Sequence, residues 1–196
     1  MFSTEHADFV EGFVSCLRHP DGEWAGKPFR LIDWQRKAVR MFYGTVRDDG
    51  TGRRKYQYLY LEIPKKNGKS ELAAALGLYH LIADGEVQGE VYICAADREN
   101  AGIIFTAALG MLRQSKTLTK QCRIRESVKE IIHLPTGTKM KVMSAEAYSK
   151  HGYKPSCVIF DELHAQPNRE LWDIMTFGAG AARRQPVWIV LTTAGD

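Results

Sequence analysis

Cysteine is scarce in this chain and badly spaced for chemistry. Four occur in 196 residues: Cys16, Cys94, Cys122 and Cys157. None forms a C-x-x-C pair, so neither a zinc site nor a disulfide framework is expected. Cys94 and Cys157 fall inside apolar runs and read as buried thiols of a reducing compartment. The six histidines form no ligand-spaced cluster. No apolar run approaches the roughly 20 residues of a membrane span. The start, Met1-Phe-Ser-Thr-Glu-His6, lacks the basic flank and apolar block of a secretory signal. No internal repeat or low-complexity tract occurs. A large charge excess is missing too. A net charge of +4 does not demand nucleic acid, although it permits a polyanionic partner. The reading is a cytosolic globular protein without a membrane partner. It has 44% hydrophobic residues, enough for one cored domain with a small appendage.

What is present is organised around residues 58–76. An apolar run ends at Ile63, a polar turn closes on Gly68-Lys69-Ser70, and a helical pattern follows from Glu71 to about Ala83. Strand, phosphate-sized turn and helix is the setting of a nucleotide-binding P-loop. Backbone N–H groups and the positive end of the helix dipole aim at one small volume there. Lys69 adds a point charge for the β- and γ-phosphates, and Ser70 offers a hydroxyl to Mg²⁺. The usual spacing G-x-x-x-x-G-K-[ST] would put glycine where this chain has Ile63. Pro64, Lys65, Lys66, Asn67 and Gly68 make up the rest of the turn.

Upstream, residues 4–18 carry Phe9, Val10, Phe13, Val14 and Leu17 at helical spacing, an amphipathic helix packing on the core. A Gly/Pro-containing loop spans 19–27. Asp33 is expected to cap a helix running to about Tyr43. Gln35 in its first turn is a candidate reader of an adenine edge, since an amide both donates and accepts. Phe29 and Trp34 offer a stacking face. Residues 47–55 read as a solvated surface loop.

Downstream, a buried strand over 91–96 precedes a helix over 98–114 that Asp97 is placed to cap. This β-α-β-α order argues for a parallel sheet with covering helices. Short strands over 122–128, 129–134 and 139–143 suggest an antiparallel edge. Ser156-Cys-Val-Ile-Phe-Asp-Glu162 is an apolar strand ending in two acids, the Walker B form. Asp161 is assigned to Mg²⁺ and Glu162 to activation of the attacking water. Asn168 is placed to cap a helix over 170–177. A last strand ends in Thr192-Thr193-Ala194-Gly195. Its hydroxyls would meet the γ-phosphate if it lay between the Walker A and Walker B strands.

The combination resembles the N-terminal ATPase domain of the terminase large subunit, the DNA-packaging motor of tailed bacteriophages. Pro64-Lys-Lys-Asn-Gly-Lys-Ser70, Cys157-Val-Ile-Phe-Asp-Glu-Leu-His164, Leu191-Thr-Thr-Ala-Gly195 and Phe29-Arg-Leu-Ile-Asp-Trp-Gln35 carry the likeness, from about residue 28 to the end. The degenerate P-loop with extra basic residues is characteristic of that family. The resemblance implies a P-loop fold of the additional-strand, catalytic-glutamate type, and ATP hydrolysis with Mg²⁺ in a host bacterial cytoplasm. It also implies double-stranded DNA, a portal protein, a small terminase subunit and a homo-oligomeric ring as partners. As an isolated domain the chain would be a monomer. Lys65 or Lys66 would sense the γ-phosphate, and Thr192 and Thr193 match the coupling motif. Where many family rings place a trans-acting arginine, this chain has Lys150 and no arginine, and Arg183 and Arg184 are alternatives. The expected division is 1–27 as a helix and loop packing on an ATPase domain of 28–196. The family's C-terminal nuclease domain finds no room here, so no DNA cleavage is expected. Rival readings are a superfamily 2 helicase, from Asp161-Glu-Leu-His164, and a non-hydrolysing DNA-binding assembly module.

Overall fold

The computed structural model describes residues 1–96, 98–144, 152–177 and 183–193. The chain opens with α1 (Thr4–Cys16) and α2 (Asp33–Gly44). Strand β1 (Tyr58–Ile63) turns into α3 (Lys69–Ile82). Strand β2 (Glu90–Ala95), α4 (Arg98–Arg113) and a short α5 (Lys116–Lys120) follow. Strands β3 (Cys122–Arg125), β4 (Glu130–His133) and β5 (Lys139–Ser144) come next. Then come β6 (Cys157–Asp161), α6 (Glu170–Phe177) and β7 (Val187–Thr193).

The strands form one sheet in the order β1-β7-β6-β2-β5-β4-β3. The first five in that order pair in parallel, and β4 and β3 continue antiparallel. This is the expected α/β arrangement, with its antiparallel edge where the alternating short strands lie. Strand β7 stands between β1 and β6. Every residue of β6 is buried, as a central parallel strand requires, whereas edge strand β3 alternates in exposure.

Helix α3 is apolar on all sides because it is covered on all sides. Leu72 to Leu81 are buried between the sheet and the flanking helices. Gly77 permits the close approach: a Cβ there would sit 3.2 Å from both Ile159 Cδ1 and Met140 Sδ. Helix α1 buries Ala7, Val10 and Val14 against α2 and α3. The opposite sheet face holds a smaller cluster, in which Leu171 and Met175 of α6 join Tyr92, Phe160 and Trp188.

Four local expectations change. Ile32, not Asp33, stands at the start of α2, and Gln35 Oε1 reaches back to accept from the Ile32 N–H at 3.2 Å. Asp33 is the first helical residue, where its charge still complements the dipole. Helix α3 starts at Lys69 because Gly68, at φ +71°, turns the chain directly into it. The strands expected over 122–134 are interrupted by a 3-10 turn at Glu126–Val128. Solvation of residues 47–55 fails at Arg54, which is buried and pairs with buried Asp84. Asp84 also meets His80 Nδ1 at 3.0 Å, and His80 Nε2 meets the Tyr43 hydroxyl at 2.8 Å. Asn168, expected to cap α6, stands one residue before the cap position held by Arg169, and its Oδ1 accepts from the Glu170 N–H at 2.9 Å. Asp97 lies outside the described residues.

Candidate functional site

Parallel pairing brings the carboxyl ends of β1, β7 and β6 to one rim, where ligands of α/β sheets gather. The registers Ile63↔Thr193 and Asp161↔Leu191 fix what meets there. The turn after Ile63, the hydroxyls of Thr192 and Thr193, and the acids Asp161 and Glu162 become neighbours.

A cleft of about 740 Å³ opens at this rim. Pro64, Lys65, Lys66, Asn67, Gly68, Lys69 and Ser70 line it together with Gln35, Glu162 and Thr193. Asn67 closes the turn, its Nδ2 donating to the carbonyls of Pro64 at 3.1 Å and Lys65 at 3.2 Å. Lys66 and Gly68 both have positive φ, +66° and +71°. At Gly68 any side chain would be strained, and a Cβ would also stand 3.2 Å from Gln35 Nε2. Gln35 is buried and clasps the turn, donating to the Asn67 carbonyl at 3.4 Å.

At the floor, Lys69 Nζ contacts Glu162 and lies 3.1 Å from Asp161 Oδ1 and 3.4 Å from Thr193 Oγ1. Thr193 grips the Glu162 carboxylate twice, through its N–H at 2.8 Å and through its hydroxyl. The Thr192 hydroxyl adds a contact at 3.4 Å. Burial pushes the Glu162 carboxyl up, but Lys69 and Thr193 outweigh it and hold the group at about 2. Asp161 goes the other way. Its burial raises it, Lys69 opposes, and nearby Glu162 adds to the rise. Its buried Oδ1 sits beside Lys69 yet has no partner in hydrogen-bond geometry.

The terminase large subunit ATPase domain family matches residues 33–196. The chain belongs to that family. It is 32% identical over 188 residues to the terminase large subunit of Enterobacteria phage HK97, covering 94% of this chain and 35% of that protein. The crystal structure of the HK97 large terminase superposes with a TM-score of 0.79 at 30% identity, over 98% of this chain and 38% of that one. The chain thus spans little more than a third of these HK97 relatives. The ATPase domain of the Thermus phage P74-26 large terminase shares the fold, with a TM-score of 0.64 at 13% identity over 85% of this chain and 66% of that one. None of these three is a helicase, so the helicase reading of Asp161-Glu-Leu-His164 gains nothing from them.

Not all candidates gather at the rim. Arg183 lies at the opposite, amino-terminal end of the parallel strands. Its guanidinium donates to the Lys154 carbonyl at 2.7 Å and the Gln88 carbonyl at 2.8 Å. Arg184 is exposed at the same end. Lys150, Ala194 and Gly195 lie outside the described residues. Trp34 packs on the main core and is not among the cleft residues, whereas Phe29 is.

One wall has no counterpart in the motif reading. His19, Trp24 and Arg30 line the cleft, Trp24 from a 3-10 turn over Gly22–Trp24. Trp24 is 56% exposed, and Lys27 Nζ lies 4.3 Å from its ring centroid. The His19 ring packs edge-on against Phe29 at 5.0 Å. An exposed tryptophan in a Gly/Pro loop was the available signal. The first 27 residues therefore both pack on the core and build part of the cleft.

Proposed function

We propose that this chain binds ATP with Mg²⁺ in the cleft and hydrolyses it, as the ATPase portion of a terminase large subunit that drives double-stranded DNA into a procapsid. The carrying observation is the convergence of Lys69, Asp161, Glu162 and Thr193 from three strand ends, beside the left-handed turn at Gly68. Membership of the terminase family supports the reading, and with it a ring of copies, a portal protein and a small terminase subunit as partners in a host cytoplasm. Among the described residues no helix is long and apolar enough to cross a membrane. The reading assigns no DNA cleavage to these residues.

Ser70 and Asp161 would hold the Mg²⁺. The donor set suits a hard cation, because Asp161 presents a buried oxygen without a hydrogen-bond partner. When bound, the metal neutralises charge on the phosphate oxygens. The Gly68–Lys69–Ser70 backbone, at the start of α3, cradles phosphate, and Lys69 supplies its charge. Lys65 and Lys66 add charge from the cleft wall, so the turn binds more by charge than by a glycine-rich cradle. The base lies toward the Gln35 and Trp24 side.

Lys69 serves two sets of partners in turn. Paired with Glu162, it keeps that carboxylate weakly basic. Drawn to the phosphates, it removes the strongest influence lowering the carboxyl. Glu162 then becomes a better acceptor for a proton from water. Thr193 holds the carboxylate in place through the exchange. ATP turnover by the wild-type chain, Lys69→Ala and Glu162→Gln tests this reading. Both substitutions abolish turnover, and Glu162→Gln retains ATP binding. Unchanged turnover in either variant would sink the assignment.

A further inference from the structure

Past Glu162 the chain makes a tight reversal. Glu162 itself takes φ +49°, ψ +57°, a left-handed conformation that a β-carbon disfavours. A 3-10 turn at Leu163–Ala165 follows, closed by the Ala165 N–H donating to the Glu162 carbonyl at 2.8 Å. This reversal lays the His164 ring back over the end of β7. Its Nδ1 stands 2.7 Å from Thr192 Oγ1 and 3.5 Å from Glu162 Oε2.

Thr192 is the hinge of the arrangement. It is buried, and its hydroxyl lies between His164 Nδ1 and Glu162 Oε2, 3.4 Å from the latter. A hydroxyl has one proton to give. If His164 took that proton, the Thr192 oxygen would turn a lone pair toward the carboxylate. If His164 Nδ1 carries hydrogen and donates it, the Thr192 proton is free to point at Glu162. Oε2 accepts from the Thr193 N–H, and the carboxylate is paired with Lys69, so a second donor from Thr192 suits it.

We infer that His164 is a positioning residue which, donating through Nδ1, orients the Thr192 hydroxyl onto Glu162 and so fixes the carboxylate that acts on water. The inference rests on the ATPase reading and adds to it a residue outside the P-loop, the acid pair and the paired threonines. The relay His164–Thr192–Glu162 crosses from one strand end to the next. A change in the turn at Leu163–Ala165 is therefore felt at the carboxylate without contact with nucleotide. The His164 side chain is 62% exposed, with its Nδ1 edge committed to Thr192.

Two measurements test this. In the first, ATP turnover and Mg·ATP affinity are compared for wild type, His164→Ala, His164→Asn, Thr192→Val, the double variant His164→Ala/Thr192→Val, and Glu162→Gln. His164→Ala lowers turnover about tenfold, as loss of orientation does, with affinity within about twofold of wild type. His164→Asn, whose amide can donate from the Nδ1 position, restores most of it. Thr192→Val loses as much as His164→Ala, and the double variant loses no more than either. Multiplicative losses in the double variant, or wild-type turnover in His164→Ala beside an inactive Glu162→Gln, overturn the relay alone. Wild-type turnover in Glu162→Gln overturns the role that the ATPase reading gives Glu162, and the relay with it. The second measurement needs no turnover. Ring ¹⁵N shifts of the neutral His164 imidazole show hydrogen on Nδ1 if the relay is correct and on Nε2 if it is not.

Discussion

Lys69 Nζ lies 3.1 Å from Asp161 Oδ1 while also contacting Glu162, so one ammonium spans both acids at the end of β6. The consequence for the two acids is opposite. Glu162 gains the lysine and two contacts from Thr193 and stays readily ionised. Asp161, more deeply buried, is left harder to ionise, its Oδ1 held by the lysine charge without hydrogen-bond geometry. On the proposed function, a divalent cation beside Asp161 would offset that penalty.

The phosphate turn depends on Gly68. A side chain there pays about 1 kcal/mol for the left-handed conformation and meets Gln35 Nε2 at 3.2 Å. Gly68→Ala is expected to fold, with a melting temperature lower by a few degrees, and to bind Mg·ATP at least tenfold more weakly. Calorimetric titration and circular dichroism together check this.

Trp24 presents an exposed ring to the cleft and anchors Lys27 above it. Base-on-aromatic stacking contributes about 1–3 kcal/mol by alanine substitution. Trp24→Ala should therefore weaken ATP about tenfold, and inorganic pyrophosphate hardly at all, because pyrophosphate has no base. Competition against a fluorescent nucleotide separates the two ligands.

At the far pole, acid stability should report on Asp84. Burial pushes its carboxyl up, but His80 and Arg54 outweigh this and bring it from 3.8 to about 2. A carboxyl lowered on folding stabilises fully above its unfolded value, and that contribution is lost as pH falls from 3.8 through about 2. The shift corresponds to about 2 kcal/mol. Asp84→Asn should flatten the pH dependence of unfolding in that window. At pH 7 it should cost about 3–5 kcal/mol, because Arg54 stays buried without its counter-charge, with only the Gln185 carbonyl among the described residues left to accept from it. Urea unfolding between pH 2 and 7 measures both.

Much of this was legible in the residues because the signals were local. The apolar runs of β6 and β7 announced buried strands, and Gly68-Lys69-Ser70 and Asp161-Glu162 announced their own strand ends. The antiparallel edge showed in the alternation of Lys139-Met-Lys-Val-Met143. What stayed hidden was set by tertiary contact. Arg54 looks like any loop cation until Asp84 is folded against it. Trp24 precedes the turn of residues 64–70 by 40 to 46 positions, and only the folded chain brings the two to one cleft. His164 read as part of a helicase-like string, and only the register of β6 against β7 sets it over Thr192. Arg183, an alternative for the family's trans-acting arginine, donates to the carbonyls of Lys154 and Gln88, contacts that its own segment does not announce.

The most direct test of the Lys69 exchange is the equilibrium affinity of Mg·ATP for wild type and Glu162→Gln. Neutralising Glu162 removes its hold on Lys69, so the account predicts severalfold tighter binding together with lost turnover. Unchanged or weaker binding, with turnover intact, would contradict it.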